Sequence, residues 1–281
     1  MFSIFRKKKT AVPISDGDIV CVSSINGKCT DYVWELRGEV GRNICCGDTC
    51  TLCVTSVGNV WFCGFISASS SFTKTRTLLE SQSPMRIHFS RSPGIQSISC
   101  GENHCVAIDF GGQAFVWGQN AYGQLGLNDV VDRAGPERLE TVRLADGIAP
   151  AGQMILKASG GSRHTALVTK CGLVLVCGRD CVDATRPEGS VDMILVPTVV
   201  PYLEDINVVD VSCGSGITCV LSDCGDVFVW GNGRMGQCGN GQLIDTEFPT
   251  GPITLPEAVT SISCGRGGHI VAVSRSGSVY G

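Results

Sequence analysis

The feature that most constrains this chain is a glycine beat. Gly17, Gly58, Gly112, Gly172, Gly225 and Gly277 recur at intervals of 41, 54, 60, 53 and 52 residues. After each comes a short alternating run: DIVCVS, NVWFCG, QAFVWG, LVLVCG, DVFVWG and SVYG. Upstream lies a second landmark: CCGDTC at 45–50, SCGENH at 99–104, SGGSRH at 159–164, SCGSGI at 212–217 and SCGRGGH at 263–269. Downstream lies a third, Pro84, Pro136, Pro197 and Pro249, placed 26, 24, 25 and 24 residues after the turn glycine. Three landmarks that hold phase over four copies define a repeat.

The runs alternate with a period of two and are bounded by glycine or turn clusters, so each unit reads as an antiparallel meander of four strands, A to D. Proline cannot donate to a ladder, which predicts that it opens the outermost strand, D. A unit of about 50 residues with two apolar sheet faces is unstable alone and must stack on its neighbours. The expected fold is all-β, a β-propeller of four-stranded blades with about five blades in this chain. The units fall near 15–40, 41–94, 95–153, 154–207 and 208–260, with a partial unit at 261–281. Residues 1–12 read as a disordered basic tail. Gly17–Ser23 imitates strand C and Asp31–Val40 is a candidate strand D, which would let the N-terminal segment complete the last blade. Gly281 falls two residues short of the position held by Gly118 and Gly231, so the expectation is further chain in a parent protein, or truncation.

Composition excludes several classes. A net charge of −4, from 22 basic and 26 acidic residues, gives no electrostatic footprint for nucleic acid. No apolar run approaches the roughly 18 residues of a spanning helix, and Met1–Phe5 is too short for a signal-peptide core. Seventeen cysteines without a signal peptide predict reduced thiols in a cytoplasmic or nuclear protein.

Candidate chemical motifs dissolve into the repeat. His104, His164 and His269 share one repeat position, with Cys50 and Ile217 at the equivalents, so they read as structural side chains satisfying their own blade. Cys45, Cys46, Cys50 and Cys53 suggest zinc by spacing, but phase aligns Cys46 with Cys100, Cys213 and Cys264, where a small hydrophobe is expected. Cys171, Cys177 and Cys181 have the wrong spacing for a tetrahedral site. Gly265–Gly268 lacks the Lys and the helix of a phosphate loop, and Asp109, Asp223 and Asp226 fall at turns. No catalytic residue, cofactor site or metal site is expected. Arg6–Lys9 reads as a solvated tail rather than an import or membrane tag.

The combined pattern x-S-C-G-x-x-H, x-G-x-V-x-x-W-G and G-Q-L-G is carried best by Cys100–Gly126, with Gly101, His104, Gly112, Trp117, Gly118 and Gly123–Gly126. The copy at Cys213–Gly239 follows. This resembles the regulator of chromosome condensation repeat family over about residues 15–281. Departures are the missing GQLG in the copies at 47–84 and 161–197, and Cys177 in place of Trp. The resemblance implies a seven-bladed ring, of which this chain would build an incomplete part.

It also implies a non-catalytic scaffold for protein–protein interaction. The alternative is a guanine-nucleotide exchange factor for a Ran-like small GTPase, which would act by favouring the nucleotide-free state. The family's founding member also docks on chromatin, a weaker expectation here. The longest extra loop, Leu139–Gln153, favours neither reading, and a plant-type ultraviolet receptor is disfavoured because Ser162 stands where such receptors place Trp. By repeat symmetry the A–B turns should emerge on one face. Asp48, Glu102, Asn103, His104, Ser162, Arg163, His164, Ser215, Arg266 and His269 are therefore the candidate partner-binding residues.

Overall fold

The computed structural model describes residues 19–25, 28–34, 39–68, 77–144, 147–150, 154–179, 193–203 and 205–281. The expected tail at 1–12, and most of the Ser/Thr-rich stretch 67–77 that stands where the copy at 47–84 lacks GQLG, lie outside them. Among the described residues every regular element is a strand.

A hairpin comes first, β1 (Ile19–Ile25) with β2 (Lys28–Trp34). Sheet 1 follows as β3 (Gly41–Cys46), β4 (Cys50–Thr55), β5 (Val60–Ser67) and β6 (Thr77–Ile87). Sheet 2 is β7 (Ile95–Cys100), β8 (His104–Asp109), β9 (Ala114–Gly118) and β10 (Arg133–Arg138). Next come β11 (Thr141–Leu144) and β12 (Gly147–Pro150). Sheet 3 is built on β13 (Ile155–Gly160), β14 (His164–Thr169), β15 (Val174–Gly178) and β16 (Ile194–Val199). Sheet 4 is β17 (Val208–Cys213), β18 (Ile217–Ser222), β19 (Val227–Gly231) and β20 (Thr246–Thr250). Sheet 5 holds β21 (Val259–Cys264), β22 (Ile270–Ser274) and β23 (Val279–Tyr280).

The strands named for each of sheets 1 to 5 form an antiparallel meander in chain order. Among the described residues there are six sheets: the β1–β2 hairpin, four sheets that each contain a four-stranded meander, and the three-stranded sheet 5. The first strands of successive sheets, β3, β7, β13, β17 and β21, lie side by side around a common axis. The stacking follows from the alternation. On β8, Cys105 and Ala107 face a core shared with sheet 1, whereas Val106 and Ile108 face one shared with sheet 3. Strand β9 divides likewise: Phe115 and Trp117 point one way, Ala114 and Val116 the other. Two further cores join sheets 3 and 4 and sheets 4 and 5. Every residue of β4, β8, β14 and β18 is buried, as strands covered on both faces must be.

Two sequence expectations need correction. The prolines do not open strand D. Pro136, Pro197 and Pro249 sit inside β10, β16 and β20, where the register with the neighbouring strand breaks. A bulge in an outer strand leaves one residue without a ladder partner, so the missing N–H costs nothing there. Among the described residues the N-terminal segment adds no strand to the last blade: β1 pairs with β2, in a sheet of their own.

The long loop after sheet 2 has structure that its composition did not show. Strands β11 and β12 form a hairpin, and β11 runs parallel to β16, with Arg143 opposite Thr198. Sheet 3 thereby reaches six strands and its outer edge is covered.

Candidate functional site

The A–B turns meet at the axis. The ends of the five inner strands enclose an open cavity of about 280 Å³. Much of its wall is small residues: Cys46, Cys100, Cys213 and Cys264 with glycines of the first four turns, such as Gly47, Gly101, Gly161 and Gly214. Five candidate residues line it: Asp48, Glu102, Ser162, Ser215 and Arg266. Backbone bonds tie the turns together, Asp48 N to Glu102 O at 3.3 Å and Glu102 N to Gly161 O at 3.1 Å. Arg266 of sheet 5 reaches back to ion-pair with Asp48 of sheet 1, and lies 3.7 Å from Glu102 of sheet 2. Burial raises the Asp48 carboxyl above its usual range, with the Arg266 guanidinium opposing the shift. The mouth is therefore a small polar patch with one cation between two carboxylates.

The remaining candidates stand elsewhere. Arg163 is exposed but lies over the Tyr122 ring, 4.7 Å from its centroid, a cation–π contact beside the cavity. Asn103 contributes its carbonyl, which accepts Gln119 N at 2.8 Å. His269 is exposed, just ahead of β22.

His104 and His164 correct the expectation outright. They are 1% and 0% exposed, so no partner reaches them. Nor do they serve their own blade. His104 Nε2 lies 2.9 Å from Thr165 Oγ1 of sheet 3, and His164 Nε2 lies 3.1 Å from Thr218 Oγ1 of sheet 4. Thr165 spends its hydrogen on Gln124 O at 2.7 Å, so His104 donates through Nε2. Its Nδ1, like that of His164, is buried without a hydrogen-bond partner. Burial holds both imidazoles neutral, His104 pushed down to about 3 with help from the nearby His164, and His164 down to about 4. These are staples between blades, not acids or bases.

A second staple runs beside the first. Ser99 Oγ accepts Gly160 N at 3.1 Å, Ser159 Oγ accepts Cys213 N at 2.9 Å, and Ser212 Oγ accepts Cys264 N at 2.8 Å. Sequence reasoning missed it, although the signal was present: these are the serines that open the S-C-G and S-G-G motifs. Of the cysteine set first suggested by spacing, Cys53 is buried away from the rest, its thiol pushed up to about 11 by desolvation.

Comparison with known proteins is decisive once this geometry is in view. Models of the regulator of chromosome condensation (RCC1) repeat match residues 111–168 and 224–273, and a second model of the same repeat matches 95–124 and 208–237. The chain belongs to the RCC1-repeat family. It is 36% identical over 188 residues to the probable E3 ubiquitin-protein ligase HERC3 of Homo sapiens, covering 66% of this chain and 17% of that protein. It is 30% identical over 166 residues to the ultraviolet-B receptor UVR8 of Arabidopsis thaliana, covering 59% of this chain and 36% of the receptor. The chain thus spans well under half the length of either relative. Among solved structures, yeast RCC1 (Prp20) bound to Kap60 gives a TM-score of 0.70 at 19% identity, covering 89% of this chain and 61% of that one. Human WBSCR16 gives 0.69 at 21% identity with the same coverage. At such identities the likeness shows an RCC1-type propeller, and nothing finer. Among the described residues no helix is long and apolar enough to cross a membrane.

Proposed function

We propose that this RCC1-repeat chain is a non-catalytic propeller module that binds another protein at the axial mouth. The observation that supports it is the convergence of Asp48, Glu102, Ser162, Ser215 and Arg266, from five separate turns, around one polar cavity. Rigid sheets hold the turns, and binding residues commonly sit on loops held in this way. The ligase activity named for HERC3 does not transfer, because the match covers 17% of that protein. Two of the repeat's histidines, His104 and His164, are spent between blades. An acidic pair around a single arginine suits a protein partner with a mixed-charge surface better than DNA.

Nucleotide exchange on a small GTPase is the competing reading. Adding the chain to a panel of small GTPases loaded with a fluorescent nucleotide separates the two. Unchanged release across the panel is the expected result, and acceleration for any member replaces the scaffold by an exchange factor. For a partner once identified, Arg266→Glu and Arg163→Glu should each weaken binding about tenfold or more. Unaltered affinity in both moves the site off this face.

A further inference from the structure

The seam between sheets 1 and 2 differs from its three counterparts at every polar position. In the next two seams the first residue of strand B is a histidine that meets a threonine at the second position of the following strand B: His104 with Thr165, and His164 with Thr218. In the last seam Ile217 and Ile270 share an apolar cluster. In the first seam the matching residues are Cys50 and Cys105. The second staple is changed as well. Where Ser99, Ser159 and Ser212 accept a backbone N–H, sheet 1 presents Cys45. Opposite Cys105 in the β7–β8 ladder stands Cys100. Four positions around one seam are therefore all cysteine.

The fold brings their sulfurs together. Cys50, Cys100 and Cys105 have their Sγ atoms all within 4.8 Å of one another, and Cys45 Sγ lies 2.9 Å from Cys100 Sγ. No other three His, Cys, Asp or Glu groups among the described residues converge so closely. Cys50 and Cys105 are buried, and Cys45 and Cys100 are half-buried on the axial side. A tetrahedral ion with metal–sulfur bonds of about 2.3 Å needs sulfurs roughly 3.8 Å apart. The sulfurs of Cys50, Cys100 and Cys105 lie at most about 1 Å beyond that spacing, and Cys45, whose Sγ touches that of Cys100, supplies the fourth thiolate by turning from Cys100 toward the other two.

We propose that Cys45, Cys50, Cys100 and Cys105 form a four-thiolate site for a thiophilic divalent cation of the zinc class, bridging the first two blades. Thiolates are soft ligands, and structural zinc is held by four of them in many small domains. Each thiol gives its proton to solvent on binding, so the ion replaces neutral, weakly bonding S–H groups by four metal bonds across the seam. The cation does there what imidazole–hydroxyl and serine–amide bonds do at the neighbouring seams.

The repeat supplies variants that should fold. Cys50→His with Cys105→Thr copies the His104–Thr165 staple, and Cys45→Ser copies Ser99. The probe is Co(II) titrated into the full-length reduced chain, followed by Zn(II). The expected result is one equivalent bound with tetrahedral thiolate–cobalt bands, bleached by Zn(II). Zn(II) at a hundredfold excess over its Kd should raise Tm by about 5–10 °C. Cys45→Ser should weaken cobalt binding at least tenfold, and the Cys50→His, Cys105→Thr double variant should abolish the stoichiometric band while keeping the sheet-rich circular dichroism spectrum. Cys213→Ser with Cys264→Ser should leave the band intact. The proposal is overturned if the wild-type chain gives no thiolate band, if the band survives in the double variant, or if thiol counting finds the four sulfurs oxidised to disulfides with no metal bound.

Discussion

At the scale of single residues, the two buried histidines carry the clearest consequences. Their imidazoles titrate near pH 6.5 in the unfolded chain but at about 3 and about 4 when folded. Above pH 6.5 both states are neutral and the folded protein has its full stability. As pH falls from 6.5 towards 4, only the unfolded chain takes up protons, so stability declines across that window and levels off below about 3. Urea midpoints at pH 7, 6 and 5 should fall in that order, and a double His104→Gln, His164→Gln variant should flatten the slope. Equal slopes in the two proteins would sink this account. His104→Ala should cost about 2–4 kcal/mol, from the cavity and from the hydrogen bond that Thr165 Oγ1 no longer accepts, measured by chemical denaturation at pH 7. The sequence showed that these histidines were equivalent, and therefore structural. It could not show their partners, because Thr165 and Thr218 lie one blade ahead, 61 and 54 residues away, and nothing local marks them.

Among the elements, strand C ends where the chain must pass very close to its neighbour. Gly118 has φ +107°, and an added Cβ would lie 2.5 Å from Asn103 O. Gly118→Ala should therefore cost at least about 2 kcal/mol in denaturation experiments, whereas the same change at the open Gly135 should cost little. On the opposite face, Trp117 is fully buried against Phe89, whose ring meets it edge-on at 5.7 Å. Trp117→Ala should cost about 3–5 kcal/mol by calorimetry. Strand order and blade period were legible because alternation and turn glycines are local signals. Pro136, Pro197 and Pro249 were misplaced by three residues, since a bulge and a strand start both excuse a missing N–H. The β11–β12 hairpin was invisible, because Thr141–Leu144 alternates too briefly and its partner β16 comes 50 residues later.

Across the whole molecule, the arginine that spans the axis is a modest brace. Arg266 is 67% exposed at its side chain, so its pairs with Asp48 and Glu102 contribute no more than about 1 kcal/mol. Arg266→Glu should then leave Tm within a few degrees of wild type, which is what makes it a clean probe of binding at the mouth; a collapse of the melting transition would show that the brace matters more than exposed ion pairs normally do. The convergence of the turns at the mouth was legible from phase alone. The pairing of Arg266 with two distant blades was not, because it depends on how far the stack curves round. The seams have a further consequence. Units this alike risk being stacked in the wrong order or exchanged between two copies of the chain. At the facing strand-B positions thiol meets thiol at the first junction, imidazole meets hydroxyl at the next two, and hydrocarbon meets hydrocarbon at the last. A sheet slotted beside the wrong neighbour would strand a ring nitrogen against an aliphatic wall, so the junctions work like keyed connectors that fix the sequence of assembly.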